Sequence, residues 1–204
     1  LVANVAKYLD GQPVIGVNAD PGAHELTLVR HTAAATADLL RAVTAGRARF
    51  QERTMVEARL DDGQVLRALN ELFVGHRSHQ SARYELAWAG REESQSSSGM
   101  IITTGTGATG WGRSVHRNRV TTVTLPTPEE ARLAFFVREA WPSVATGADL
   151  TDGSIGPGQS LEVVSRMSDG VAFGDGIEAD PIELGWGRRL TVGLADVRLR
   201  LVLG

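Results

Sequence analysis

Ser96 to Gly112 reads SSSGMIITTGTGATGWG. Met100 to Thr104 forms a short strand pattern, with Gly99, Gly105, Gly107, Gly110 and Gly112 around it. Glycine after a strand lets the backbone turn with positive φ and come close to another molecule. Successive N–H groups in such a turn can cradle an anion, and the hydroxyls of Thr103, Thr104, Thr106 and Thr109 add donors. The stretch points to phosphate or nucleotide handling or, without a ligand, to a glycine-rich hairpin.

The letters GTGATG, residues 105–110, also satisfy GxGxxG. A dinucleotide-binding Rossmann turn must open a helix inside a βαβ unit. Trp111 to Arg119 shows little apolar helical periodicity, Gly112 would weaken a helix, and a β-branched run (Val120 to Leu125) follows. The sequence therefore argues against a Rossmann turn. No Gly-Lys-Ser/Thr follows, which excludes a Walker A loop, and no GxSxG elbow occurs.

Composition narrows the classes further. The 204 residues suffice for one large domain or one domain plus a fragment, and 42% hydrophobic with 22% charged residues is ordinary for a globular chain. A net charge of −3 gives no electrostatic footprint for nucleic acid. No apolar run approaches the roughly 18 residues of a membrane span. The absence of cysteine removes disulfides, thiol catalysis and Cys-based zinc sites.

Taken in order, Val2, Val5, Ala6 and Leu9 form a helical stripe with no capping residue before it. The chain is expected to enter in the middle of an element. Val14 to Val17 reads as a short buried strand after Pro13. Helix, turn and apolar strand suggest part of an α/β lobe. Asn18, Asp20, Pro21 and Gly22 then form a loop at the strand's C-terminal end, the edge that ligands favour in open α/β sheets, or a plain turn. Thr32 to Ala45 is a helix with Leu39, Leu40 and Val43 on one face, stopped by Gly46. Alternation then predicts antiparallel strands at Met55–Leu60, Val65–Val74 and Tyr84–Trp88. Glu129 to Glu139 suits helix or strand, and Thr146 to Gly158 reads as loops. Further strands are expected at Leu161–Arg166, Leu190–Val192 and Val197–Leu203. The fold class is thus α/β plus β: an α/β remnant over residues 1–49, then a β-rich, sandwich-like domain over 50–204.

Other constellations are open. Asn70 and Glu71 sit side by side inside the apolar run ALNELFV and point to opposite faces, so one is buried and needs partners, or the strand is an edge. His76 and His79 form HxxH beside Arg77, a poor metal site without carboxylates or a helix. Asp175-Gly176 with Glu178 and Asp180 suits a cation such as Mg²⁺ or a hydroxyl, or the hairpin turn Phe173–Gly176.

Three segments, in the same order, resemble the NAD kinase family: PVIGVN (13–18), ALNE (68–71) and SGMIITTGTGATGW (98–111). They are similar to that family's PVLGIN strand, its Asn-Glu motif and its DGLIVSTPTGSTAY segment. The strings VIGVNADP, RALNELFVG and LAFFVREAW make the resemblance closer to the mitochondrial-type branch. It implies an N-terminal α/β lobe, a C-terminal β-sandwich-like domain, and phosphorylation of the adenosine-ribose 2′-hydroxyl of NAD by ATP or polyphosphate with Mg²⁺. The family's Gly-Gly-Asp-Gly motif, which supplies the catalytic Asp, would fall just before Leu1, so no catalytic residue is assigned within the chain. By the same resemblance Asn70 and Glu71 contact NAD. Ser98, Gly99, Thr106, Gly107, Thr109, Gly110 and Trp111 line the dinucleotide, Asp175 sits at the site's edge, and Asn18 and Asp20 lie at a phosphate loop. Ser98 stands where common bacterial members carry Asp, and Ala108 where many carry Ser. The implied partners are NAD and ATP, with neither nucleic acid nor membrane. A homodimer or higher homo-oligomer in the cytoplasm is expected. The alternatives are a non-catalytic nucleotide-binding module of the same fold, or a related lipid kinase.

Overall fold

The computed structural model describes residues 1–20 and 27–204. In chain order the elements are α1 (Val2–Ala6), β1 (Pro13–Val14), α2 (Thr36–Thr44), β2 (Phe50–Arg53), β3 (Val56–Leu60), β4 (Val65–Ala68), β5 (Glu71–His76), β6 (Ala82–Trp88), β7 (Arg91–Ser97) and β8 (Met100–Thr103). They continue with α3 (Trp111–Arg117), β9 (Leu133–Val137), β10 (Asp152–Ile155), β11 (Leu161–Ser165), β12 (Gly170–Gly174), β13 (Ile182–Glu183), β14 (Arg189–Leu194) and β15 (Leu199–Val202).

Alternating side chains make the core. One six-stranded sheet runs β4-β3-β14-β11-β6-β7 and the other β10-β9-β8-β5-β12-β13, and every named pairing in both is antiparallel. The inner faces meet in a single cluster. Val56, Ala58, Leu60, Tyr84, Leu86, Val163 and Val192 come from the first sheet, and Leu72, Val74, Met100, Ile102, Phe135 and Ala172 from the second. The two sheets therefore pack face to face as a sandwich. A third sheet, β1-β15-β2, joins the two ends of the sequence. In it Pro13 and Val14 lie parallel to Arg200 and Leu201. A smaller cluster under α1 contains Ala6, Met55, Leu69 and Leu199.

Several expectations are corrected. The run Val65–Val74 is two strands: β4 belongs to one sheet and β5 to the other, and the chain crosses between them at Leu69–Asn70. β5 is flanked by β8 and β12, so the edge-strand reading of Glu71 fails. A helix does follow the glycine segment. α3 buries only Gly112, so it needs no apolar stripe, and a Cβ there would lie 2.6 Å from the Thr103 hydroxyl. The Rossmann reading still fails, because β8 pairs antiparallel on both sides. Thr146–Gly158 contains β10, and 129–139 resolves as the strand β9. At α1, Ala6 and the Lys7 that follows it are buried while Val5 is exposed, and on α2 Leu39 is buried while Leu40 is exposed. These helices are short: Val2 and Ala3 of α1 pack beside Ala6, whereas α2 buries only Leu39.

Candidate functional site

The crossing at Leu69–Asn70 is held by long-range hydrogen bonds. The Asp175 carboxylate accepts the N–H of Leu69 at 3.0 Å and of Asn70 at 2.6 Å. The Asp175 N–H donates to the Glu71 carbonyl at 3.0 Å. From the other side Thr104 donates its N–H to the Asn70 carbonyl at 2.9 Å and its hydroxyl to the Leu69 carbonyl at 2.6 Å. Every backbone polar group of the crossing is thus paired, as burial demands. Asp175 can do this because it sits at φ 55, followed by Gly176 at φ 70, which turns the chain sharply after β12.

The glycine segment lies directly on this corner. Thr104 Oγ1 also accepts the N–H groups of Thr106 at 3.0 Å and Gly107 at 3.3 Å. Ala108, Thr109 and Gly110 donate to the carbonyls of Thr104, Thr106 and Gly107. The expected anion cradle is therefore absent over 106–110: those N–H groups close a turn of 3₁₀ helix instead. What the glycines provide is closeness. A Cβ on Gly107 would lie 2.2 Å from the Asn70 carbonyl oxygen, and one on Gly105 1.9 Å from the Thr127 carbonyl oxygen. Behind the segment, Arg53 is 1% exposed and donates to Thr106 Oγ1 at 3.2 Å and to Gln51 Oε1. Burial, reinforced by Arg30, pulls the Arg53 pKa below its usual value.

Glu71 opens β5 on the sheet's outer face, opposite Thr103. It is 9% exposed, and burial followed by repulsion from Asp175 pushes its carboxyl up to about 7. Burial likewise raises the Asp175 pKa, against its backbone hydrogen bonds and the Lys7 charge. A carboxyl with a raised folded pKa weakens the fold as pH rises from its unfolded value to its folded one. Stability from Glu71 should thus fall between pH 4.5 and about 7 and stay level above. Glu71→Gln should remove up to about 3 kcal/mol of that slope. Urea unfolding of both proteins across this range checks it.

Two residues further along the same face, Phe73 pairs with Phe173 of β12, ring centroids 4.9 Å apart. Trp111 of α3 stacks on Phe73 at 6.3 Å, and the Arg138 guanidinium lies 5.8 Å from the Trp111 ring. Gly75 and Gly99 make room for the Phe73 ring: a Cβ on either would lie 2.5 or 2.7 Å from it. These rings wall a cleft of about 460 Å³, rimmed by His76, Arg77, His79, Arg138 and Glu178. Flat rings with cationic rims suit a planar, anionic ligand.

The structure therefore brings together Asn70, Glu71, Thr106, Gly107 and Asp175, and sets Gly99 and Trp111 at the adjoining cleft. Thr109 and Gly110 are exposed at the start of α3. Ser98 is exposed at the turn between β7 and β8. Asn18 and Asp20 form a separate turn after β1, where Asp20 N–H donates to Asn18 Oδ1 at 2.9 Å. Pro21 and Gly22 lie outside the described residues. Among the described residues no cluster of three acidic, His or Cys side chains could hold a metal ion. The Asp175–Glu178–Asp180 reading as a cation site fails, since Asp175 binds backbone and Asp180 accepts the Tyr8 hydroxyl. Sequence reasoning missed Phe73, Phe173, Arg53 and Lys7, each of which reads locally as an ordinary core or surface residue.

No protein-family model matches the chain, and no curated protein matches it. Among solved structures it is similar to a crystal structure of yeast NADH kinase complexed with NADH, with a TM-score of 0.66 and 17% identity. The match covers 87% of this chain and 51% of that one, so the chain spans about half the length of the kinase. No helix among the described residues is long and apolar enough to cross a membrane. Over most of its length the chain has the fold of that NADH kinase.

Proposed function

We propose that the chain holds NAD for phosphoryl transfer from ATP·Mg²⁺ to the 2′-hydroxyl of its adenosine ribose. The observation that carries this reading is the Asn70–Glu71 corner, gripped by Asp175 and covered by Gly105–Gly110, at the edge of an aromatic cleft. The fold shared with an NADH kinase supports it. In this reading the Glu71 carboxylate accepts a ribose hydroxyl and Asn70 supplies a neutral amide beside it. A flat ring lies against Trp111 and Phe73, and Arg138 and Arg77 offset the pyrophosphate charge. Catalysis then rests on positioning and charge neutralisation. Mg²⁺ arrives with ATP. Residues 1–49 would face the donor, residues 50–204 the acceptor, in a cytoplasmic homodimer.

Calorimetric titration of NAD into the chain is the first test. Asn70→Ala and Trp111→Ala should each weaken binding by about tenfold. Unchanged affinity in both, or no NAD binding by the wild type, would sink the assignment. NADP formation from NAD, ATP and Mg²⁺, assayed with the Gly-Gly-Asp-Gly segment that the resemblance places ahead of Leu1, separates a kinase from a binding module of the same fold. The module is motivated by Ser98 and Ala108, which take the place of more polar family residues.

A further inference from the structure

Lys7, one residue beyond α1, is 7% exposed, and its ammonium is sealed from solvent without a hydrogen-bond acceptor among the described residues. A buried cation that lacks a partner is costly and calls for a compensating charge. α1 docks on the β4–β5 crossing itself, since Ala6 shares a cluster with Leu69. Its far end is tied to the segment after Asp175, where the Tyr8 hydroxyl donates to Asp180 Oδ2 at 2.9 Å. Asp175, five residues before Asp180, grips the N–H groups of the same Leu69 and of Asn70 with its carboxylate. The titratable groups around that carboxylate are Glu71 on β5, which repels it, and Lys7, which attracts it.

We propose that Lys7 is a positioning residue: its sealed ammonium is the counter-charge for Asp175, and so holds the Leu69–Asn70 crossing in the shape that presents Asn70. The low-dielectric interior carries this attraction without a direct hydrogen bond. The inference rests on the proposed function only in taking Asn70 as a ligand contact. The counter-charge role needs no ligand.

The test is a double-mutant cycle with Lys7→Met, Asp175→Asn and the double variant, unfolded by urea from pH 4.5 to 8. Methionine keeps the apolar stem and removes the charge. Without Lys7 the ionised Asp175 stands uncompensated in the fold, so the deficit of Lys7→Met should grow as pH rises. At pH 8 its unfolding constant should exceed the wild type's by about tenfold. At pH 4.5, where a larger share of Asp175 is protonated, the deficit should be smaller than at pH 8. In the Asp175→Asn background Lys7→Met should no longer destabilise at any pH and should match or exceed its parent, because it removes a buried cation that has lost its counter-charge. A deficit that is the same at all pH values, or that persists in the Asp175→Asn background, overturns the proposal and leaves Lys7 a packing residue. NAD titration runs in parallel. If the cycle holds while the wild type binds no NAD, Lys7 keeps its role and the proposed function falls.

Discussion

Gly107→Ala is expected to destabilise the protein by about 2–3 kcal/mol, the upper part of the range for forcing extra atoms into a packed interior. The added Cβ would stand 2.2 Å from the Asn70 carbonyl oxygen, 2.6 Å from its carbon and 2.6 Å from Thr103 Oγ1. Two of these are backbone atoms of a crossing already fixed from both sides, so neither can step back cheaply. Relief comes only by lifting the glycine segment or by pushing Asn70 outward. Under the proposed function, loss of NAD affinity should accompany the loss of stability. Gly185→Ala is the control. A Cβ there meets nothing within 4 Å, and the change should stay within about 1 kcal/mol of wild type. Urea unfolding of the two variants side by side decides it. Equal stabilities would show that the segment does not press on the corner.

Asp175→Ala should cost a comparable amount by a different route. It leaves the Leu69 and Asn70 N–H groups without their acceptor, at about 1–3 kcal/mol for each buried group. Alanine also bears left-handed backbone poorly, and the position sits at φ 55. Asparagine tolerates that region and keeps one acceptor, so Asp175→Asn should be the milder change. Opposing these losses is relief of the repulsion on Glu71, whose carboxyl pKa should move down from about 7. The signature is thus a net loss of about 3 kcal/mol with a pH slope shifted to lower pH. A loss below about 1 kcal/mol for alanine would mean that the crossing keeps its shape without the carboxylate.

The sandwich was legible in the sequence where inward residues are apolar, as in Val56, Ala58 and Leu60 or Tyr84 and Leu86. It was not legible at β7, whose inward residues Gln95 and Ser97 are polar. They are buried because Gln95 donates to the Leu150 carbonyl and Ser97 bonds the Tyr84 hydroxyl. The crossing at Leu69–Asn70 was hidden for another reason. Leu66, Ala68, Leu72 and Val74 all face the core, so the alternation runs on through the bend without a change of parity. Neither glycine nor proline marks it, because the forces that bend it come from Asp175 and Thr104, far away in sequence. The site shows the same division. The glycine segment and Asn70–Glu71 stand out as local patterns. The aromatic wall appears only once β5, β12 and α3 are side by side.

The pairing of β15 with β1 sets the order in which a newly made chain matures. Pro13 and Val14 are synthesised before their partners Arg200 and Leu201, which come 187 residues later. At about 5–20 residues per second, the first strand waits roughly 10–40 s for its neighbour. Strands β3 to β14 contain all their own partners, so the sandwich can assemble during translation. β1 pairs only once β15 has been made. The sandwich can therefore pack before the third sheet closes, and a single strand, β15, completes that sheet by joining β1 to β2.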